Sequence, residues 1–171
     1  MLVGVISDSH DNLEFLKKVV RELLSRRVQL VFHLGDFISP FTIKLMRDLL
    51  GDIPVIGVKG NNDGDVYQLT RLFTQFNWTF KAEPSIINVA ERKILLVHGY
   101  GSIEETNRLI NALASSLDVD IILYGHTHRV DLKRINGKLV LNPGEICGYI
   151  TGKSSYAILD LKNLEAEVYI L

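Results

Sequence analysis

An α/β fold is what this chain of 171 residues predicts: a four-layer α-β-β-α sandwich of two mixed β-sheets flanked by helices. Three observations lead there. The first third alternates short β-branched runs with amphipathic stretches, the β-α-β pattern that builds a parallel sheet. The later part sets apolar runs on either side of short polar turns, the pattern of antiparallel hairpins. Composition supplies the third, with 47% hydrophobic and 23% charged residues, the balance of an ordinary globular core.

In chain order, "LVGVIS" (2–7) is a buried strand. Asn12 caps a helix over 13–25, where Leu13, Leu16, Val19, Val20, Leu23 and Leu24 recur at helical spacing. "VQLVFHLGD" (28–36) is a second strand ending in Gly35-Asp36. "PFTIKLMRDLLG" (40–51) is a helix with Pro40 at its start and Gly51 at its end. "IPVIGVKGNND" (53–63) is a third strand that closes on Gly60-Asn61. Residues 64–80 read as a helix followed by a loop containing Trp78. "SIINVA" (85–90) and "KILLVHG" (93–99) pair as a hairpin across the polar "ERK", and a helix covers 103–116. The strand "DIILYG" (120–125) comes next. Asn136-Gly137 within "DLKRINGKLVLN" is the strongest short hairpin signal, and "YAILDLKNLEAEVYIL" forms a last hairpin turning at Lys162-Asn163. No repeat, low-complexity stretch or linker interrupts the pattern, so residues 1–171 are expected to form one domain.

Charge and cysteine usage narrow the function classes. Nineteen basic against twenty acidic residues give a net charge of -1, which offers no composition-level case for binding nucleic acid or anionic membrane. Cys147 is the single cysteine, so no intrachain disulfide forms, as suits a reducing compartment. "MLVGVISDSH" lacks the basic flank of a signal peptide, and no apolar run approaches the roughly 20 residues of a membrane helix. A cytoplasmic location is the expectation.

The residues just beyond each apolar run carry the chemistry. Asp8 and His10 stand after the first, Asp36 after the second and Asn61 after the third; His98 and the pair His126 and His128 stand after two later ones. Ligands in open α/β sheets sit beyond the carboxyl ends of the strands, so these groups can converge on one crevice. Adjacent glycines let the backbone turn sharply there. Four imidazoles, two carboxylates and one amide oxygen exceed what one metal uses in ordinary coordination, but suit two if a carboxylate bridges them. Two divalent ions and two aspartates would leave the site positive, fit for an anion such as a phosphate ester.

The blocks D-x-H (8–10), G-D (35–36), G-N-N-D (60–63), H-G (98–99) and G-H-x-H (125–128) stand in that order. In this the chain resembles the calcineurin-like metallophosphoesterase superfamily, and by its small size the compact prokaryotic phosphodiesterase branch. That branch shares its fold with the retromer metallophosphoesterase-like subunit, a scaffold with an incomplete ligand set. The resemblance implies that Asp8, His10 and His128 hold one metal, that Asn61, His98 and His126 hold the other, and that Asp36 bridges them. It gives Asp36, Asn61 and His98 catalytic roles as well. It further implies a metal-bridging hydroxide that attacks phosphorus in line. Manganese comes first among the metals, with nickel, iron and zinc as alternatives. The implied substrate is a small phosphate ester, most naturally a diester. A phosphomonoesterase and a non-catalytic protein-binding scaffold are the alternatives, and a homo-oligomer stays open.

Two positions depart from the family pattern. Asn62 stands where many members carry histidine, and an amide is no usable acid near neutral pH. Asp63 and Arg129 are candidates for orienting a ligand and for contacting phosphate. The turn Asn142-Pro143-Gly144 is followed by Glu145 in place of the frequent serine, where it is expected to alter substrate access. Substrate selectivity is expected from 64–80, 99–105 and 143–154. His33, inside a strand, reads as a satisfied histidine behind the site, and Asp11 with Asn12 as helix caps. "GYITGKSS" (148–155) lacks the first glycine of a P-loop and precedes a strand, so it reads as a loop near the site.

Overall fold

The computed structural model describes residues 1–171. The chain runs β1 (Leu2–Ile6), α1 (Leu13–Ser25), β2 (Leu30–His33), α2 (Pro40–Leu50), β3 (Val55–Val58), α3 (Val66–Gln75) and β4 (Thr79–Lys81). It continues through β5 (Ser85–Val89), β6 (Arg92–Val97), α4 (Ile103–Ser116), β7 (Ile121–Tyr124), β8 (Val130–Ile135), β9 (Lys138–Pro143), β10 (Ser155–Asp160) and β11 (Glu165–Ile170). These strands make a six-stranded sheet, β11-β10-β1-β2-β3-β4, and a five-stranded one, β5-β6-β7-β9-β8. Within the first, β1 to β4 are parallel, and β10 and β11 close one edge antiparallel. Within the second, β6, β7 and β9 are parallel, flanked by antiparallel β5 and β8.

Period-2 alternation sorts side chains between layers. Val3 and Val5 join Phe32, Leu96, Leu123 and Leu141 in the dry space between the sheets. Ile6 and Val31 face the other way, onto Leu16, Val20, Ile43 and Phe73 of the first three helices. On the second sheet, Leu95, Val97, Ile122 and Val140 face outward onto Ile110 and Ala114 of α4. The result is the expected four-layer order, with three helices on one side and one on the other. No helix is long and apolar enough to cross a membrane.

Local chemistry starts the helices where the sequence places them. Asn12 Oδ1 accepts from Phe15 N at 3.3 Å, and Ser39 Oγ accepts from Phe41 N beside Pro40. Ser102 and Glu105 form a reciprocal capping box for α4, an S-x-x-E signal that sequence reasoning missed. Asn136 (φ 51°) and Gly137 (φ 81°) supply the two positive-φ positions of a tight hairpin between β8 and β9.

Two expectations change. Residues 79–81 are a strand, not loop: β4 pairs with β3, Ile56 opposite Thr79. Three residues are too few to show alternation, and only the exposed edge of β3 makes them a strand. Asp11 does not cap α1. Its carboxylate accepts from Ser39 and Thr42 hydroxyls at 2.8 and 2.7 Å, tying the loop after β1 to the start of α2.

Candidate metal centre

All the parallel strands that meet at the middle of the two sheets end on the same side, and each end delivers a polar group. Backbone hydrogen bonds lace the turns together: Asp8 N to Gly35 O at 3.0 Å, His10 N to Asp36 O at 3.0 Å, and Gly125 N to His98 O at 2.9 Å. Glycine is required where these turns touch. A Cβ on Gly60 would lie 2.1 Å from Asp36 Oδ1, and one on Gly125 would lie 2.1 Å from Ser7 Oγ. The G-D, G-N and G-H blocks are therefore a packing requirement as much as a chemical signature.

Around one position stand Asp8, His10, Asp36 and His128, whose ligand atoms lie within 4.8 Å of one another and could hold a metal ion. His128 Nε2 is 3.5 Å and His10 Nε2 is 3.9 Å from Asp8 Oδ1. Asp8 is fully buried. Its Oδ2 accepts from Ser7 Oγ at 2.6 Å and from His126 N at 3.1 Å, but Oδ1 has no hydrogen-bond partner, and neither has His10 Nε2. Buried polar atoms are rarely left so.

Around a second position stand Asn61, His98 and His126. Asn61 Oδ1 lies 3.0 Å from His98 Nε2 and 2.7 Å from His126 Nδ1. The far nitrogens of both rings contact carbonyl oxygens, His98 Nδ1 on Leu34 at 2.6 Å and His126 Nε2 on Gly101 at 2.7 Å. A carbonyl only accepts, so those nitrogens carry the protons, and in the neutral rings two lone pairs point at an amide oxygen. Such an arrangement needs a proton or a cation between the groups.

Asp36 joins the two positions. Its Oδ2 is 3.3 Å from His10 Nε2 and 3.5 Å from His98 Nε2. Asn62 donates to it twice, from its backbone N to Oδ1 and from Nδ2 to Oδ2, each at 2.8 Å. Burial pushes the Asp36 carboxyl up, but the adjacent His10 and His98 rings and the hydrogen bonds from Asn62 outweigh it and hold the group well below the carboxylate range. Asp8 moves the other way, raised by burial against the pull of His98 and His128. His10 is raised by Asp36, whose Oδ2 lies 3.3 Å away; burial pulls His98 down, but Asp36 and Asp8 outweigh it and raise that ring as well.

The remaining residues of interest lie behind or beside this centre. Asp63 accepts backbone N–H bonds from Asp36, Ile38 and Gly60 at 3.0, 2.9 and 2.7 Å, so it shapes the turns rather than facing the crevice. His33 is buried, accepts from Gly35 N at Nδ1, and so donates from Nε2 to Ser9 Oγ at 3.0 Å. Burial pushes it down to about 3, and it stacks on Phe37 with ring centroids 3.8 Å apart. Arg129 is exposed and its side chain makes no hydrogen bond or ion pair.

Glu145 departs from its expected place. It does not border the crevice mouth; it is 0% exposed and its Oε2 lies 2.7 Å from His128 Nδ1. The signal was present, because Glu145 comes after β9 just as the other groups come after their strands. Cys147 donates its thiol to Glu145 at 2.9 Å, and burial pushes that thiol up to about 12, which leaves it unfit as a nucleophile. The segment 148–154 does lie beside the site, through Glu145, and is no P-loop: it leads into β10.

The family model described as the calcineurin-like phosphoesterase superfamily domain matches residues 1–164. The chain belongs to this superfamily. By family it is a metal-dependent phosphoric ester hydrolase. It is 34% identical to a phosphodiesterase of Methanocaldococcus jannaschii over 100% of this chain and 99% of that protein. A solved archaeal phosphodiesterase is similar across the whole of both chains, with 32% identity and a TM-score of 0.88. Vps29 of Entamoeba histolytica, solved in complex with zinc, is 29% identical with a TM-score of 0.70, over 99% of this chain and 91% of that one. These similarities agree with the compact phosphodiesterase branch, with its Vps29-like relatives, that the small size of the chain led one to expect.

Proposed function

We propose that this phosphoesterase is a dinuclear metal-dependent phosphodiesterase, in which residues 1–171 act as one domain. The observation that carries the proposal is Asp36 Oδ2, within 3.3 and 3.5 Å of imidazole nitrogens from two different clusters. The chain's own atoms fit the cations. Asp8 Oδ1 and His10 Nε2 are buried without hydrogen-bond partners, and the facing acceptors of Asn61, His98 and His126 are a contact a cation relieves. Asp8, His10 and His128 would hold one ion, Asn61, His98 and His126 the other, with Asp36 shared. The donor set, imidazole and oxygen with no thiolate, suits manganese first and nickel, iron or zinc next. Bound there, two such cations would activate a water as nucleophile and neutralise charge on the phosphoryl oxygens.

The protein's part is positional. Leu34 O, Gly101 O and Glu145 each hold the outer nitrogen of one ring, which leaves the inner nitrogen of His98, His126 and His128 free. Asn62, exposed beside Asp36, donates a hydrogen bond to substrate phosphate without acting as an acid. Arg129, unpaired at the surface, is available for the substrate's second ester arm. The near-full-length similarity to an archaeal phosphodiesterase supports a small diester over a monoester. The single cysteine fits a cytoplasmic setting.

The test is hydrolysis of a chromogenic phosphodiester by metal-stripped protein, before and after manganese is added, with Asp36→Asn in parallel. Restored turnover in wild type and at least about a 10²-fold loss in the variant are expected. Turnover of monoesters alone would replace the diester reading. Inactivity on both with every metal would leave a binding scaffold.

A further inference from the structure

The histidines of the proposed centre do not lean on equal supports. At the ring nitrogen facing away from the proposed metals, His98 and His126 contact neutral carbonyls, whereas His128 contacts a carboxylate, Glu145, by Nδ1 at 2.7 Å. Resting on the metal reading above, we propose that Glu145 is a positioning residue that fixes His128 for metal binding and couples that position to the loop at 148–151.

Its two oxygens divide the work. Oε2 takes His128 Nδ1 and the Cys147 thiol, with Ile150 N at 3.2 Å. Oε1 takes Ile150 N at 3.1 Å, Thr151 N at 2.6 Å and Thr151 Oγ1 at 2.7 Å. Only a carboxylate has the acceptor sites for so many donors. A shorter serine hydroxyl at this position, as the family pattern often has, could not span from the ring to the loop. Because Glu145 accepts only, Nδ1 of His128 carries the proton and Nε2 keeps its lone pair toward Asp8 Oδ1, 3.5 Å away. A carboxylate on the far nitrogen also raises the basicity of the ligating one, and losing such a partner typically costs about 10–100-fold in metal affinity. The loop it grips carries Tyr149 and Ile150, 64% and 68% exposed, so the bracket links a buried ligand to a surface that faces solvent beside the crevice. The first position should therefore bind metal more tightly than the second, and should lose that advantage without Glu145.

The experiment begins with metal-free wild type at alkaline pH, where imidazoles are neutral. Nitrogen NMR of the histidine rings is expected to show His128 protonated at Nδ1. Manganese is then titrated calorimetrically into wild type, Glu145→Gln and Glu145→Ser, and amide exchange is tracked at Ile150 and Thr151. The serine variant should weaken one of two binding events by about 10–100-fold and speed exchange at both amides. Its far-UV circular dichroism and the His98 tautomer should stay as in wild type. The glutamine variant, which keeps an oxygen for Nδ1–H, should fall between. A wild-type His128 protonated at Nε2 would overturn the proposal, as would a folded serine variant with wild-type manganese affinity. Faster exchange alone would make Glu145 merely a loop tether and also overturn it. Should the serine variant fail to fold, the wild-type tautomer and the glutamine variant decide. If wild type binds no manganese, the metal reading falls, while the tautomer and exchange data still judge the bracket.

Discussion

Asp8, His10, Asp36, His126 and His128 all hold positive φ, between 43° and 69°. That region is uncommon for residues with a Cβ, but Asp, Asn and His enter it more readily than most. The local cost, of order 1 kcal/mol each, persists because the surrounding turns over-determine the backbone. In return each side chain leaves its strand end aimed at a common point. Asn62 is the residue whose chemistry most limits the proposed reaction, since an amide can donate to phosphate but cannot protonate a leaving group. Asn62→His should raise turnover of diesters with alkyl leaving groups toward the about 10²-fold lower end of general-acid help, and change nitrophenyl esters little. The measurement is the dependence of rate on leaving-group pKa, and an unchanged slope would contradict it. His33 makes a prediction about stability. Its folded pKa lies near 3, below an unfolded value of about 6.5, so the unfolded chain binds more protons in that window. Stability therefore falls as pH drops from about 6.5 toward 3, by about 1.4 kcal/mol per unit at most. Urea unfolding of metal-free wild type against His33→Phe should show this slope reduced in the variant. The opposite contributions of His10 and His98 cancel in that difference.

At the scale of elements, strand ends place the candidate ligands and helices anchor the turns between them. Gly35, Gly60 and Gly125 let three of those turns pack against neighbouring turns and side chains with no room for a methyl group. The most economical element is β4, three residues held at a sheet edge by Trp78, which is 7% exposed. The Trp78 ring packs edge-on to Phe73 and Phe76, each at 5.6 Å between centroids. Trp78→Ala should cost about 3–5 kcal/mol in equilibrium unfolding. Hydrolysis per folded molecule should stay near wild type, because the site's turns do not rest on that ring. A cost under about 1 kcal/mol would show that β4 is held by backbone pairing alone.

For the whole molecule, the centre spans both sheets, so metal binding and folding should be linked. Ions that bind only the folded state stabilise it by about 2.7 kcal/mol at a hundredfold excess over Kd. Manganese should accordingly raise the melting temperature of wild type, and do so less for Asp36→Asn. The raised pKa values of His10 and His98 set the sign of the pH dependence. Below those values the rings hold protons that metal must displace, so apparent affinity should climb with pH and binding should release about two protons. Calorimetry in buffers of different ionisation enthalpy measures that release. An affinity independent of pH through the histidine range would argue against ligation by these rings.

The motif blocks, the alternation of strand and helix, and the family were legible from residues alone, because each rests on local chemistry: glycine at crowded turns, Asn and Ser at helix starts, and donor atoms after apolar runs. Tertiary structure alone decided the rest. Whether 79–81 is strand depends on an edge presented by β3, and whether Asp11 caps a helix depends on hydroxyls at the start of α2. Glu145 is the clearest case. Its place after β9 is legible in the sequence, but only packing buries it behind His128, seventeen residues earlier in the chain, instead of leaving it at the substrate's path. Spacing along a chain tells which side chains a turn can offer, while the direction a buried carboxylate faces is set by contacts distant in sequence.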